Sequence, residues 1–253
     1  MGGPDCIIEA GTVMCGLAGD GTMQLREDCA IVVRDGVIAA LTPIGETPTG
    51  DAVRYGSRDM IAMPGLVNSH HHFGLTPLMM GVPFAPLELW LPRFRGMRQV
   101  GARLDTLYSA IEMLESGTTT VHHINSGLVG APADWEATTG TILSAYGEIG
   151  MRAGYSFMMR DQNTLAYEDD ATVLAALPED VREWLRPRLA PTSTPTRDYM
   201  TFFAAAKKRW EAERKDFVRL HLAPANLHWC SDESLDLIFG TARDAGANIH
   251  MHL

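Results

Sequence analysis

Nine histidines occur in the chain, and seven of them fall in three clusters: His70, His71 and His72; His122 and His123; His250 and His252. In a strand, residues i and i+2 face the same way, so His70 and His72 present two imidazoles to one side while His71 points away. Two such nitrogens chelate one metal ion. A zinc or iron site needs about three or four nitrogen and oxygen ligands, so this pair is half a site and needs partners from elsewhere. The last predicted strand, NIHMHL, offers such partners in His250 and His252, which share a face. His250 either lines the pocket or satisfies a hydrogen bond. His122 and His123 point to opposite faces, so one of them looks inward, as a substrate or supporting group rather than a ligand. A histidine pair of this kind also occurs in many proteins that bind nothing. A purely structural zinc site would be closed by four ligands and favour cysteine. Cys6, Cys15, Cys29 and Cys230 all lie away from these histidines in sequence.

These clusters need strands to aim them. Residues 5–60 read as short strands, CIIEAGTVM, CAIVVRDGVIAAL and DAVRYGSRDMIAM, with Asp35-Gly36 as a hairpin signal. From Ile61 the pattern changes to strand-like runs alternating with helix-length segments, which predicts β-α units and a parallel sheet. The predicted strands are Ile61–Asn68, Thr118–Ile124, Met151–Met158, Phe217–Ala223 and Asn248–Leu253. A helix after the first carries Leu104, Leu107, Tyr108, Ile111 and Leu114 on one face and stops at Gly117. A helix before the last opens with Ser231 as N-cap and stripes Leu235, Ile238, Phe239 and Ala242 to Gly246. Further helices are predicted around Asp134–Ile149, Arg197–Arg214 and Glu179–Leu185. Periodicity alone leaves an open doubly wound sheet and a barrel as alternatives. No glycine-rich phosphate loop follows any strand.

The chain has 253 residues, 46% hydrophobic and 21% charged, which is the composition of a globular protein rather than a disordered one. Lys plus Arg number 21 against 31 for Asp plus Glu, a balance of −10 that disfavours nucleic acid or an anionic membrane as partner. Scattered cysteines without a CxxC pair, and a start without a secretory pattern, predict a reduced, cytoplasmic location. The charge-poor stretch Gly74 to Pro92 is interrupted by Pro77, Pro83 and Pro86 and reads as a loop, not a membrane span.

The run Ile-Ala-Met-Pro-Gly-Leu-Val-Asn-Ser-His-His-His, ending at His72, resembles the amidohydrolase superfamily. In that family such a segment ends the first strand of a (β/α)8 TIM barrel and its outer histidines bind the metal, which implies that role for His70 and His72. The resemblance further implies a fifth-strand ligand, matched by His252, and an N-terminal small β-sandwich domain, matched by residues 1–60, ahead of a hydrolase barrel over 61–253. The runs HHHFGLTPLMMGVPFAPLELWLPR and LDTLYSAIEMLESGTTTV look like the guanine deaminase and atrazine-hydrolase branch. The segment LAPANLHWCSDESL resembles a substrate-touching loop of that branch and makes His228 a candidate. The family's catalytic glutamate would lie two positions past Leu253, with a histidine and an aspartate further on, so the sequence reads as a barrel incomplete at its C-terminus and inactive alone.

The resemblance therefore implies one divalent metal ion, zinc or iron, activating water for hydrolysis of a C–N bond, or a dechlorination, on an amino-substituted nitrogen heterocycle. It also implies a possible homodimer. Substrate contacts would come from loops after the strands. Glu88 and Trp90 offer a carboxylate beside an indole, Arg160 and Gln162 lie nearest the end of the third barrel strand, and Tyr167-Glu168-Asp169-Asp170 reads as a solvated acidic loop. The competing reading is a non-catalytic amidohydrolase-like scaffold, against which the intact histidines argue.

Overall fold

The computed structural model describes residues 5–47, 50–72, 81–87, 89–90, 93, 97, 100–125, 132–189 and 195–252. Glu88 and most of the stretch from Gly74 to Pro92 lie outside the described residues. The chain divides into two compact units, Met1–Gly65 and Leu66–Leu253.

The first unit holds a four-stranded sheet built from β1 (Cys6–Leu17), β2 (Met23–Arg34), β3 (Val37–Pro43) and β4 (Val53–Ala62), in the order β3-β2-β1-β4. β1 runs antiparallel to β2 and parallel to β4. Asp35 and Gly36 close the β2–β3 hairpin with φ of 53° and 71°, the doubly positive turn whose twist matches that of the strands it joins. Ala10, Val13 and Cys29 form a small buried centre, with Ile31, Leu41 and Ala62 packed on it.

The second unit is a parallel α/β assembly. Its strands are β5 (Leu66–His72), β6 (Thr118–Asn125), β7 (Arg152–Met159), β8 (Val218–Leu220) and β9 (Ala223–Pro224). β5, β6, β7 and β8 are neighbours in that order, all parallel, and β9 continues the pairing on β7. The segment after the last helix joins this sheet through the parallel bridge Leu222–Ile249, with Leu222 N–H donating to Asn248 O at 3.0 Å and His250 N–H to Leu222 O at 2.9 Å. Helices cross over between strands: α1 (Ala102–Glu115), α2 (Pro132–Ile149), α3 (Asp170–Ala176), α4 (Glu179–Leu189), α5 (Thr196–Glu213) and α6 (Asp232–Ala245). Tyr146, Tyr155, Phe157, Tyr199 and Phe203 lie within a fully buried core between sheet and helices.

Several boundaries differ from the sequence expectation. The strand expected over Ile61–Asn68 divides, because Ile61 and Ala62 pair with β1 as the end of β4 and a new strand begins at Leu66. The expected strand Phe217–Ala223 is interrupted at His221 and Leu222: His221 N–H still donates to Tyr155 O of β7 at 2.8 Å and β9 resumes the pairing with β7, while Leu222 bridges to Ile249 on the other side. α1 buries Asp105, Thr106, Ser109, Ala110 and Met113, while Leu104, Tyr108 and Ile111 are exposed. α1 packs against α2 and β6, and those contacts rather than the apolar stripe decide which face is buried. In α6, Ser231 caps the N-terminus, accepting from Ser234 N–H, and Gly246 ends the helix at φ 58°, yet Phe239 is exposed. The acidic run near Tyr167 contains a helix start: Asp169 accepts from Ala171 and Thr172 N–H and opens α3. Among the described residues no helix is long and apolar enough to cross a membrane, and all four cysteines are free thiols.

Candidate metal centre

The imidazoles converge because the sheet curves. Strands lie about 4.8 Å apart, so in a flat sheet the outermost lines of this five-strand arrangement would stand about 19 Å from each other. Instead His70 Nε2 is 3.0 Å from His72 Nε2, and His72 Nε2 is 3.0 Å from His252 Nε2. The inward side chains of β5 thus meet those of the terminal segment across the concave face. A bulge aids this aim. The β5–β6 register shifts between Asn68 and His71, and Asn68 Oδ1 accepts from His70 N–H at 3.2 Å. Such bulges redirect side chains at sheet ends.

One ligand atom each from His70, His72 and His252 lies within 4.8 Å of the others. The tautomers of two of them follow from their surroundings. His72 Nδ1–H donates to Ile124 O at 3.1 Å, and His252 Nδ1–H donates to Ala225 O at 3.3 Å. A carbonyl only accepts, so both protons sit on Nδ1 and two lone pairs face each other at Nε2. Burial, followed by the neighbouring His252 and His70, lowers the His72 pKa to about 4, and burial and His70 lower that of His252. Neither ring relieves the contact by taking up a proton near neutral pH, whereas a cation between them does. Two nitrogens bound tetrahedrally to zinc at about 2.0–2.1 Å stand about 3.3 Å from each other, close to the spacing seen here. This donor set fits a divalent ion.

Around the trio stand further histidines. His122 faces inward from β6, with Nε2 3.1 Å from Ser156 Oγ and its ring 4.7 Å from His250 and 5.1 Å from His221. Burial, then His221 and His250, pull its pKa down to about 3. Gly154 on β7 leaves the room they need, since a Cβ there would lie 3.2 Å from His221 Nε2 and 3.5 Å from His122 Nδ1. His71 and His123 face outward and pack at 5.6 Å, and His123 Nδ1 is 2.8 Å from Tyr146 OH in α2. His221 was not singled out from the sequence. The signal was present: Val218, Leu220 and Leu222 are buried on one face, which leaves His221 on the other.

Arg160, Gln162 and His228 gather as a second group, joining the loop after β7 to the loop after β9. Gln162 Nε2 donates to His228 O and Cys230 O, both at 3.1 Å, and Asn163 Nδ2 donates to His228 O at 2.6 Å. The Arg160 guanidinium lies 4.3 Å over the Trp229 ring, donates to Asn163 O, and Tyr167 stacks on Trp229 at 5.5 Å. The His228 ring is exposed and meets Tyr167 edge-on at 5.5 Å. Trp90 is half-buried in a helical turn, its backbone N–H donating to Pro86 O at 2.9 Å. Glu88 lies outside the described residues.

The second unit is thus a parallel α/β sheet with imidazoles gathered where its strands end. The Amidohydrolase family model matches residues 61–253, and the chain belongs to that family. It is similar to a 5-methylthioadenosine/S-adenosylhomocysteine deaminase of Shouchella clausii, 28% identical over 241 residues that cover 90% of this chain and 46% of the relative. Its fold is similar to that of an atrazine chlorohydrolase from Arthrobacter aurescens TC1 complexed with zinc, with TM-score 0.72 and 20% identity over 98% of this chain and 52% of the other. It is also similar to that of a guanine deaminase from C. acetobutylicum with bound guanine, with TM-score 0.61 and 15% identity over 98% and 52%. The chain spans about half the length of the curated relatives that it matches over most of its own length. Family and neighbours imply a fold of (β/α)8 TIM-barrel type.

Proposed function

We propose that these residues form the metal-holding part of a hydrolase that cleaves a C–N bond, other than a peptide bond, on an amino-substituted nitrogen heterocycle. The convergence of the Nε2 atoms of His70, His72 and His252 carries this reading. A divalent ion held there, zinc or iron, supplies Lewis acidity and lowers the pKa of water so that a nucleophile is available near neutral pH. His70, His72 and His252 would hold that ion through their Nε2 atoms. The chain's own contribution is orientation. Ile124 O and Ala225 O fix the tautomers of His72 and His252, and burial keeps both neutral. His122 and Ser156 form a polar wall beside the site, able to bond a heterocycle's nitrogen or exocyclic group.

The mouth of the site is assigned to the loops that follow the strands. Arg160, Gln162 and His228 stand there, with Glu88 and Trp90 from the loop after β5 as further substrate contacts. The stacking of Arg160 and Tyr167 on Trp229 supports a rigid rim, with the exposed His228 ring as its free polar edge. The names of the relatives, deaminases of methylthioadenosine, of 8-oxoguanine and of guanine, support an aminopurine or related ring as substrate. In the same reading the sheet closes into an eight-stranded barrel. The sheet of the first unit is one layer of a small sandwich, consistent with its exposed Leu25, Val37, Ile38, Val53 and Tyr55. The complete protein is cytoplasmic and pairs as a homodimer.

The test is ammonia release by the complete, zinc-loaded protein from a panel of aminopurines, aminopyrimidines and aminotriazines. Turnover of at least one ring, lost in His72→Ala, is expected. Turnover only of carboxylic or phosphate esters, or none in a metal-loaded protein, contradicts the proposal.

A further inference from the structure

We propose that His250 is the positioning residue for His70, holding the proton that directs the His70 lone pair into the metal centre; this rests on the metal reading above. His70 Nδ1 lies 2.8 Å from His250 Nε2, while His70 Nε2 lies 3.0 Å from His72 Nε2. For His70 to offer a lone pair at Nε2, its proton must reside on Nδ1, and a proton there needs an acceptor. For His72 and His252 that acceptor is a backbone carbonyl. For His70 it is a side chain, His250 Nε2. That nitrogen accepts only without a proton of its own, so His250 carries its proton on Nδ1.

The strand pattern explains why these two residues meet. Side chains two apart share a face, so one turn of alternation that brings His252 to His72 also brings His250 to His70 across the concave side. His250 is in turn held by packing: its ring lies 4.9 Å from His70 and 4.7 Å from His122, which stacks at 22° on His221. His70, His250, His122 and His221 thus form a row of imidazoles from four separate segments of the sheet. Its first member is a metal ligand and its second is the ligand's orienting partner. Of the three Nδ1 acceptors, His250 is the one that a substitution can remove without touching the backbone.

The experiment uses the complete protein and measures zinc affinity by competition with a chromogenic chelator for the parent, His250→Ala and His250→Gln. The amide oxygen of glutamine can accept the His70 proton, and alanine cannot. Loss of an orienting partner typically weakens metal binding about 10–100-fold. That loss is expected for His250→Ala, with most of it recovered in His250→Gln at an equal melting temperature. Two-bond ¹⁵N–¹H spectra of the histidine-labelled, metal-free parent report the tautomer directly, and His70 is expected to be protonated at Nδ1. Parent-like affinity in His250→Ala, no recovery in a folded His250→Gln, or a His70 proton on Nε2 overturns the inference and leaves the metal reading standing. If His250→Ala does not fold, the glutamine variant and the tautomer decide. A parent that takes up no zinc overturns the metal reading itself.

Discussion

His72 Nε2 and His252 Nε2 lie 3.0 Å apart although 180 positions separate them in sequence, and their rings stack at 15°. Each donates its Nδ1 proton to a backbone carbonyl, so the contact sets lone pair against lone pair. The fold holds the two rings in this arrangement through Ile124 and Ala225, residues of the neighbouring strand ends. Pre-set ligands of this kind reduce the ordering needed when an ion binds.

The packed imidazoles make stability depend on pH. Burial holds His72 near a pKa of about 4 and His122 near about 3, while His123 is held well below its usual value, mainly by burial and then by His71. In the unfolded chain these groups titrate near about 6.5, so below that pH the unfolded state binds more protons than the folded one. Their contribution is present in full above about 6.5 and is lost as pH falls toward the folded values. The urea midpoint of the metal-free complete protein is expected to drop between about pH 7.5 and about pH 5.5, and to drop less in His122→Asn. An unchanged midpoint would contradict the burial of neutral rings.

Gly154 makes room for His122 and His221, and the space is already tight for a methyl group. Gly154→Val forces one ring to move, and overpacking of this kind typically costs about 1–3 kcal/mol. A lower melting temperature with altered His122 and His221 ring resonances is expected. A parent-like melting temperature would show that the row is looser than described.

Asp161 joins the loop after β7 to the start of α6. Its carboxylate accepts from Ser231 N–H at 2.9 Å, from Ser231 Oγ at 2.7 Å and from Ser234 Oγ at 2.6 Å. Hydrogen bonds to a charged group contribute about 1.5–3 kcal/mol, and leaving their partners unsatisfied adds to the loss. Asp161→Ala is expected to lower stability by about 1–3 kcal/mol and to raise amide hydrogen exchange at 231–235. Unchanged exchange there would remove Asp161 from this role.

The sequence carried the alternation of strands and helices, the Asp35-Gly36 turn and the three histidines, because each depends on local chemistry or on a period of two or 3.6 residues. It did not carry the curvature that brings His252 to His72, since that property belongs to the whole sheet. The α1 stripe misled because apolar periodicity does not say which face packs, and packing on α2 and β6 buries Ser109 and Ala110 instead of Leu104 and Tyr108. His221 was hidden for a related reason: a single histidine in a strand has no spacing pattern of its own, and its neighbours His122 and His250 come from other strands.

The most direct test of the metal centre is X-ray absorption at the zinc edge of the complete, zinc-loaded protein, with metal content measured on the same sample. One zinc per chain with three imidazole ligands is expected, falling to two imidazoles or to no bound zinc in His72→Ala and again in His252→Ala. A parent spectrum without imidazole scattering, or full zinc content with three imidazoles retained in both variants, would contradict the assignment of His70, His72 and His252.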